Sequence, residues 1–399
     1  MPTQATRVSS LGVETAFAVA ARATAHAESG GKVYPFHLGD LNLPTPENVR
    51  EAAQKAMKDG KTGYCPPAGI APLREALAKD ANAKRGTAYS MENVSVQPGG
   101  KPVISKFLLS LMNPGDEVLC PNPGFPIYES QIEFLGGIVK PYPILCAGDS
   151  FTFDLDALEK LITPKTKLLI VNDYHNPTGA ECSPKERERL AEIAVRHNLL
   201  VLLDEAYYET HYEDNAASIV SLPGMVERSV LLYTFSKKFA MTGWRLGAAV
   251  GPKEIIAIIN KLNVNVESCT CQFVQWAGLE GLTGDQSGPK KIIETLRKRR
   301  DAAVKILNNI PGVTCITPNA SFYLYPDVTD LMRDKGFGGD YDAFAEDILV
   351  KTGVSCCTRL HFGRPLPGES RRYLRLAFSG INEDAIEEGL GKLQKYAEN

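Results

Sequence analysis

Three stretches in the middle of the chain are continuously apolar rather than alternating: Lys167-Leu-Leu-Ile-Val-Asn172, Leu199-Leu-Val-Leu-Leu203 and Val230-Leu-Leu-Tyr-Thr234. A strand with one wetted face alternates, so an unbroken apolar run predicts a strand covered on both faces. That is the texture of a parallel sheet flanked by helices. Between the first two runs, Ser183-Pro184-Lys185-Glu186 predicts a helix start. It supplies an N-cap, a proline in the first turn and a capping-box glutamate. Val94-Ser-Val-Gln97 predicts a further strand, followed by Gly99-Gly100 and a helix with Val103, Ile104, Phe107, Leu108 and Leu111 on one face. An alanine-rich helix is expected from about Glu14 to Glu28, ending at Gly30-Gly31.

Beyond about residue 285 the texture changes. A basic helix (Lys290 to Leu307) precedes short strands between Val313 and Tyr325, with further helices over Asp342 to Lys351 and Asn382 to Tyr396. A chain of 399 residues is too long for one compact core. The expected organisation is therefore a large α/β domain over 41–285, with a mostly parallel central sheet, and a smaller α+β domain over 286–399. The stretch Thr283-Gly-Asp-Gln-Ser-Gly288 reads as a linker or a loop between them.

Composition narrows the function classes. A net charge of -3 offers no basic surface for nucleic acid or an anionic membrane. No apolar run is long enough to cross a bilayer, and no secretory signal is expected. The nine cysteines are scattered without zinc-site spacing, and none of the six histidines falls in a metal-ligand pattern. Free thiols, a cytoplasmic location and no metal are the expectation.

Polar residues punctuate the carboxyl ends of the three apolar runs: Asn176 in Asn176-Pro-Thr-Gly179, Asp204 in Asp204-Glu-Ala-Tyr207, and Lys237 in Thr234-Phe-Ser-Lys-Lys-Phe239. Ligands of open parallel sheets bind beyond that edge, so the three point to one pocket. Each alone has a plainer reading as a turn, a helix cap or a solvated lysine pair. Gly99-Gly100 before a helix with Pro102 in its first turn leaves backbone N–H groups exposed, which is an anion site.

Ser236-Lys-Lys-Phe-Ala-Met-Thr-Gly-Trp-Arg-Leu-Gly247 resembles the lysine motif of the class I/II (fold type I) aminotransferases that depend on pyridoxal 5'-phosphate. The order Asn-Pro-x-Gly, Asp-x-x-Tyr, Ser-Lys and Arg-x-Gly matches that family over nearly the whole chain. The resemblance implies the following roles. Lys237 holds the cofactor as a Schiff base and, once displaced by substrate, moves the Cα proton. Arg245, Gly99, Gly100, Lys101, Thr234 and Ser236 surround the phosphate. Asp204 pairs with the pyridine nitrogen, Tyr207 and Asn176 meet the phenolate oxygen, and Phe125 stacks on the ring. Arg375 takes the substrate α-carboxylate with Asn176 and Gly39 beside it. The resemblance also places residues 1–40 on the small domain and implies a homodimer in which Tyr64 reaches the neighbouring site.

The chain departs from the family pattern in two places. Thr234 stands where serine is usual, and Thr358-Arg359 stands where a Pro-Gly turn is common. Arg359 or His361 is then a candidate contact for a substrate side chain. Lys101 is another, because a lysine there reads a distal carboxylate in some aspartate-using relatives. The leading expectation is transfer of an amino group from an L-amino acid, aspartate or another acidic donor first, to a 2-oxo acid such as 2-oxoglutarate. The alternative is a β-lyase on cysteine conjugates, which begins with the same Cα deprotonation. A ligand sensor fused to a DNA-binding module is a third class, disfavoured because no helix-turn-helix segment is visible.

Overall fold

The structure, a computed structural model, describes residues 4–12, 16–213 and 216–399. Its central feature is an eight-stranded sheet in the order Val94–Gln97, Gly247–Val250, Ser229–Thr234, Leu200–Asp204, Thr166–Val171, Glu117–Asn122, Ile138–Ala147, Ser150–Phe153. The five strands from Ser229–Thr234 to Ile138–Ala147 are mutually parallel. Antiparallel pairings occur at the two flanks. Two cores account for the unbroken apolar runs. Leu169, Val171, Val201, Leu203, Leu231 and Tyr233 enter one face's core, whereas Leu168, Ile170, Leu202, Val230 and Leu232 enter the other. Each such buried aliphatic chain contributes about 1.5–3 kcal/mol, so neither face tolerates a polar residue until the strand ends.

Local signals act as read. Helix Pro184–Arg196 starts at Ser183, whose hydroxyl accepts from Glu186 N (3.3 Å) while the Glu186 carboxylate accepts from Ser183 N (2.7 Å). The same carboxylate accepts from Phe153 N (2.9 Å), so the cap also fastens the edge strand. A cap of this kind contributes on the order of 1 kcal/mol.

A third core forms around helices Ser287–Leu307, Tyr341–Thr352 and Glu383–Glu398, over strands Tyr323–Leu324, Leu374–Ala377 and Cys357–Thr358. The N-terminal part packs here: Tyr34–Pro35 pairs in parallel with Val354–Ser355, and Ala16 and Val19 sit on Cys357 and Phe362. The helix expected from Glu14 is described over Ala16–Glu28; Glu14 itself lies outside the described residues. The strands expected between Val313 and Tyr325 reduce to Tyr323–Leu324 and two bridges, Thr314 to Asp327 and Ala320 to His211. Pro318 interrupts the ladder because it lacks a donor, and its carbonyl is taken instead by the Arg300 guanidinium (3.0 Å). At the expected boundary, helix Gln272–Thr283 gives way to Ser287–Leu307 through a tight turn. The Gln286 amide donates to the carbonyls of Gly281 and Gly284 (both 2.9 Å), which lets the second helix begin earlier than Lys290.

Candidate active site

The strands ending in Val171, Asp204 and Thr234 are immediate neighbours in the sheet, so the residues that follow them share one edge. Asn176, Asp204 and Lys237 all line a cavity of about 530 Å³ there, together with Gly39, Gly100, Lys101, Phe125, Tyr207, Thr234, Ser236, Arg245 and Arg375. Lys237 Nζ donates to the Gly39 carbonyl (2.9 Å) and lies over the rings of Phe322 (5.1 Å) and Tyr207 (5.9 Å). The amine on this wall thus has aromatic faces and a backbone acceptor within reach.

Asp204 is buried at the floor. Its Oδ2 accepts from the Tyr128 hydroxyl (2.5 Å) and its Oδ1 from Ala206 N (3.2 Å). Burial raises its pKa to about 6, against the pull of these donors and of the Lys237 charge. The Asp204 carbonyl accepts from the Asn172 amide (2.9 Å), whose oxygen accepts from Asn176 N (3.0 Å). One side chain thus ties two of the three strand ends together.

The anion cradle is present. Gly99 has φ +103°, and a Cβ there would stand 2.2 Å from Arg245 Nη2. Only glycine lets the guanidinium lie against the loop. Gly100 precedes helix Lys101–Leu111 without a side-chain cap, with Pro102 in the first turn, so its leading N–H groups are available to an anion. Arg245 itself is left-handed (φ 54°) and donates to the Thr242 carbonyl (2.6 Å). Thr234 and Ser236 join this end through a hydroxyl–hydroxyl bond of 3.1 Å.

At the opposite end, Arg375 donates to the Asn176 side-chain oxygen (3.3 Å) and the His37 carbonyl (2.6 Å), with its guanidinium 4.5 Å from the Tyr323 ring centre. Burial and the Arg375 charge lower the His37 pKa to about 4, so its imidazole stays neutral beside that cation. The Tyr207 hydroxyl bonds to that of Tyr323 (2.7 Å). A Cβ on Gly39 would stand 2.2 Å from Tyr323 Oη, which makes glycine a packing requirement there.

Other sequence-based candidates fall elsewhere. Arg359 does not line the cavity; it is 2% exposed and pairs with Glu369 (2.6 Å), Asn122 and the carbonyls of Phe362 and Gly363. A cation so engaged is a strut of the loop, which corrects its candidacy as a substrate contact. His361 lines the cavity, with Nδ1 accepting from Thr358 N (3.1 Å). Lys101 also lines it and lies 5.7 Å from the Phe125 ring centre. Tyr64 is 87% exposed and lies outside this chain's own cavity. Sequence reasoning missed Asn172, Tyr128 and Tyr323, all cavity-lining.

A buried carboxylate on the floor, a primary amine on the wall, and an arginine with bare helix N–H groups at one end suit one kind of cofactor. They match an aromatic aldehyde that carries a ring nitrogen and a phosphate, with the second arginine placed for a substrate carboxylate. The glycine cradle that any Cβ would fill is the observation that makes the fit specific. Among the described residues no cluster could hold a metal, and no helix is long and apolar enough to cross a membrane. Fold and site together define a pyridoxal phosphate enzyme.

Comparison with known proteins places it further. Residues 32–393 match the model of the aminotransferase class I and II family, and the chain belongs to that family. It is 33% identical to an aspartate aminotransferase of Sulfolobus acidocaldarius over 92% of this chain and 91% of that one. The structure of Thermus thermophilus aspartate aminotransferase with maleate superposes with a TM-score of 0.90 at 31% identity, covering 99% of this chain and all of the other. An alanine aminotransferase from Pyrococcus furiosus does so with a TM-score of 0.90 at 27% identity, covering 99% of this chain and 100% of its own. The chain is an aminotransferase that uses pyridoxal 5'-phosphate to pass an amino group from an L-amino acid to a 2-oxo acid.

Proposed function

We propose that the amino donor is aspartate, that 2-oxoglutarate is the acceptor, and that the enzyme is a homodimer. The observation that carries the donor is Lys101, a cation lining the cavity beside Phe125 in addition to Arg375. Two cations suit a dicarboxylate better than a neutral side chain. The names of the Sulfolobus and Thermus relatives, and the maleate in the latter structure, support the same reading. The highly exposed Tyr64 supports a dimer in which it enters the neighbouring site. Free cysteines throughout support a cytoplasmic location. The β-lyase alternative draws no support from these relatives, each named as an aminotransferase.

When bound, pyridoxal phosphate supplies an electrophilic aldehyde and an electron-withdrawing ring. The protein's part in the reaction is carried by side chains. Arg245, Thr234, Ser236 and the N–H groups at Gly100 and Lys101 would hold the phosphate, with Gly99 leaving room for the Arg245 guanidinium. The Asp204 carboxylate would keep a proton on the ring nitrogen, Tyr207 and Asn176 would donate toward the ring oxygen, and Phe125 would pack against the ring. Arg375 would grip the α-carboxylate, and Lys237 Nζ would take the proton from Cα and deliver it to the carbon that enters as the cofactor's aldehyde.

Half-reactions test the donor. Holoenzyme mixed with aspartate alone should lose its bound-cofactor visible absorbance, and 2-oxoglutarate should restore it. Conversion by alanine or aromatic donors without conversion by aspartate would overturn the reading.

A further inference from the structure

Lys237 and Lys238 are adjacent, yet only Lys237 lines the cavity. The sequence suggests a solvated lysine pair, but the Lys238 side chain is only 12% exposed and its Nζ lies 3.2 Å from Glu209 Oε2. Glu209 is shared: its other oxygen meets Lys84 (2.5 Å), which also meets Asp80 (2.7 Å). Lys84 and Asp80 stand on helix Ala71–Arg85, and the Lys84 carbonyl accepts from the Tyr208 hydroxyl (2.9 Å). The next residue of that helix, Arg85, makes a buried pair with Glu205 (2.6 Å) and covers the Tyr208 ring at 3.8 Å. Glu205 directly follows Asp204. One helix end therefore holds the neighbour of the cofactor-facing carboxylate and, through Glu209, the neighbour of the cofactor-facing amine.

We propose that Lys238 and Glu209 are positioning residues, a brace that fixes the Lys237 amine relative to Asp204 from behind the cavity. The proposal rests on the assignment of Lys237 and Asp204 to the cofactor. The brace is electrically balanced: Asp80 and Glu209 oppose Lys84 and Lys238, and Glu205 opposes Arg85. Burial pulls Lys238 below the usual lysine range while Glu209 opposes that pull. On the cavity side, Asp204, Tyr207, Phe322 and the Gly39 carbonyl face Lys237. Losing either member of the pair unbalances one charge behind the site and frees the Lys237 loop.

The test is a pH titration of bound-cofactor absorbance in holoenzyme, with kcat and KM measured alongside. Lys238→Met leaves Glu209 under-neutralised, so the nitrogen of Lys237 holds its proton to higher pH. The midpoint should rise by about 0.5–1 unit, and Glu209→Gln should lower it by a similar amount. In both, kcat should fall about 10-fold with KM for the amino donor nearly unchanged, and Lys238→Arg should restore the wild-type midpoint. Should Lys238→Met fail to fold, Lys84→Met should move the midpoint upward by less. Variant midpoints that coincide with wild type overturn the brace alone. A wild type that shows no pH-dependent cofactor absorbance overturns the assignment beneath it as well.

Discussion

Lys237 Nζ donates to the carbonyl of Gly39 at 2.9 Å, across 198 positions of sequence. The amine of the sheet edge is thereby addressed by the N-terminal segment, which itself packs on the third, C-terminal core. Gly39 has no room for a side chain, since its Cβ would stand 2.2 Å from Tyr323 Oη. Gly39→Ala should push Tyr323 off Tyr207 and shift the carbonyl that holds Lys237. We expect kcat/KM to fall roughly 10–100-fold with little change in thermal melting. Steady-state kinetics beside a melting curve checks both halves.

Asp204 is buried and its pKa is raised to about 6 in the cofactor-free chain. Its ionised form meets the cofactor's ring nitrogen, so apoenzyme should bind pyridoxal phosphate more weakly as pH falls through about 6, and Asp204→Asn should flatten that dependence. The sign for stability is opposite. A carboxyl with a raised native pKa is penalised once the unfolded chain ionises near ~3.9. The penalty is absent below that pH, grows up to about 6 and is constant above. Asp204→Asn should therefore stabilise the apoenzyme at neutral pH by about 2–3 kcal/mol, while activity collapses. Denaturant titrations at acid and neutral pH measure this.

Arg375 presents its guanidinium between Asn176 and the His37 carbonyl. Lysine supplies a charge without the planar fork, so Arg375→Lys should lose roughly 10²-fold in kcat/KM, on the order of 2–3 kcal/mol. Most of that loss should appear in KM for every amino acid, because the α-carboxylate is common to all. Lys101→Ala should instead weaken dicarboxylic donors alone, and a panel of donors separates the two.

Arg359→Met should leave Glu369 and Asn122 without their shared cation. Because the Glu369 carboxylate left behind is 26% exposed, losing the pair should cost about 1–3 kcal/mol rather than the cost of a fully buried charge. The ranking of amino donors should be unchanged, since Arg359 does not line the cavity. A changed ranking at unchanged stability would restore it as a substrate contact.

The sheet was legible because its strands are buried on both faces. An unbroken apolar run as short as Leu168 to Val171 suits a doubly covered strand better than a strand with a wetted face. Asn176, Asp204 and Lys237 were legible for the same reason, as polar residues within a few positions of the ends of those runs. Asn172 carried that signal too, closing the run it terminates, but its bond runs to a neighbouring strand that local pattern does not name. Tyr128 lies three residues after Phe125, edge-on to its ring, and was within reach of an argument from that spacing. Tyr323 was not: its partner Tyr207 is 116 positions away, and only the fold joins them. Arg359 misled because exposure cannot be read from a charge in a loop; here the loop folds around it.

The central claim is that Lys237 carries the cofactor. Borohydride reduction of holoenzyme, digestion and peptide mass spectrometry test it most directly. The cofactor's mass should appear on the peptide containing Lys237, with fragment ions assigning it to that residue and not Lys238, and no label should form in Lys237→Ala. Label on Lys101 or Lys238, or full labelling of Lys237→Ala, would contradict it.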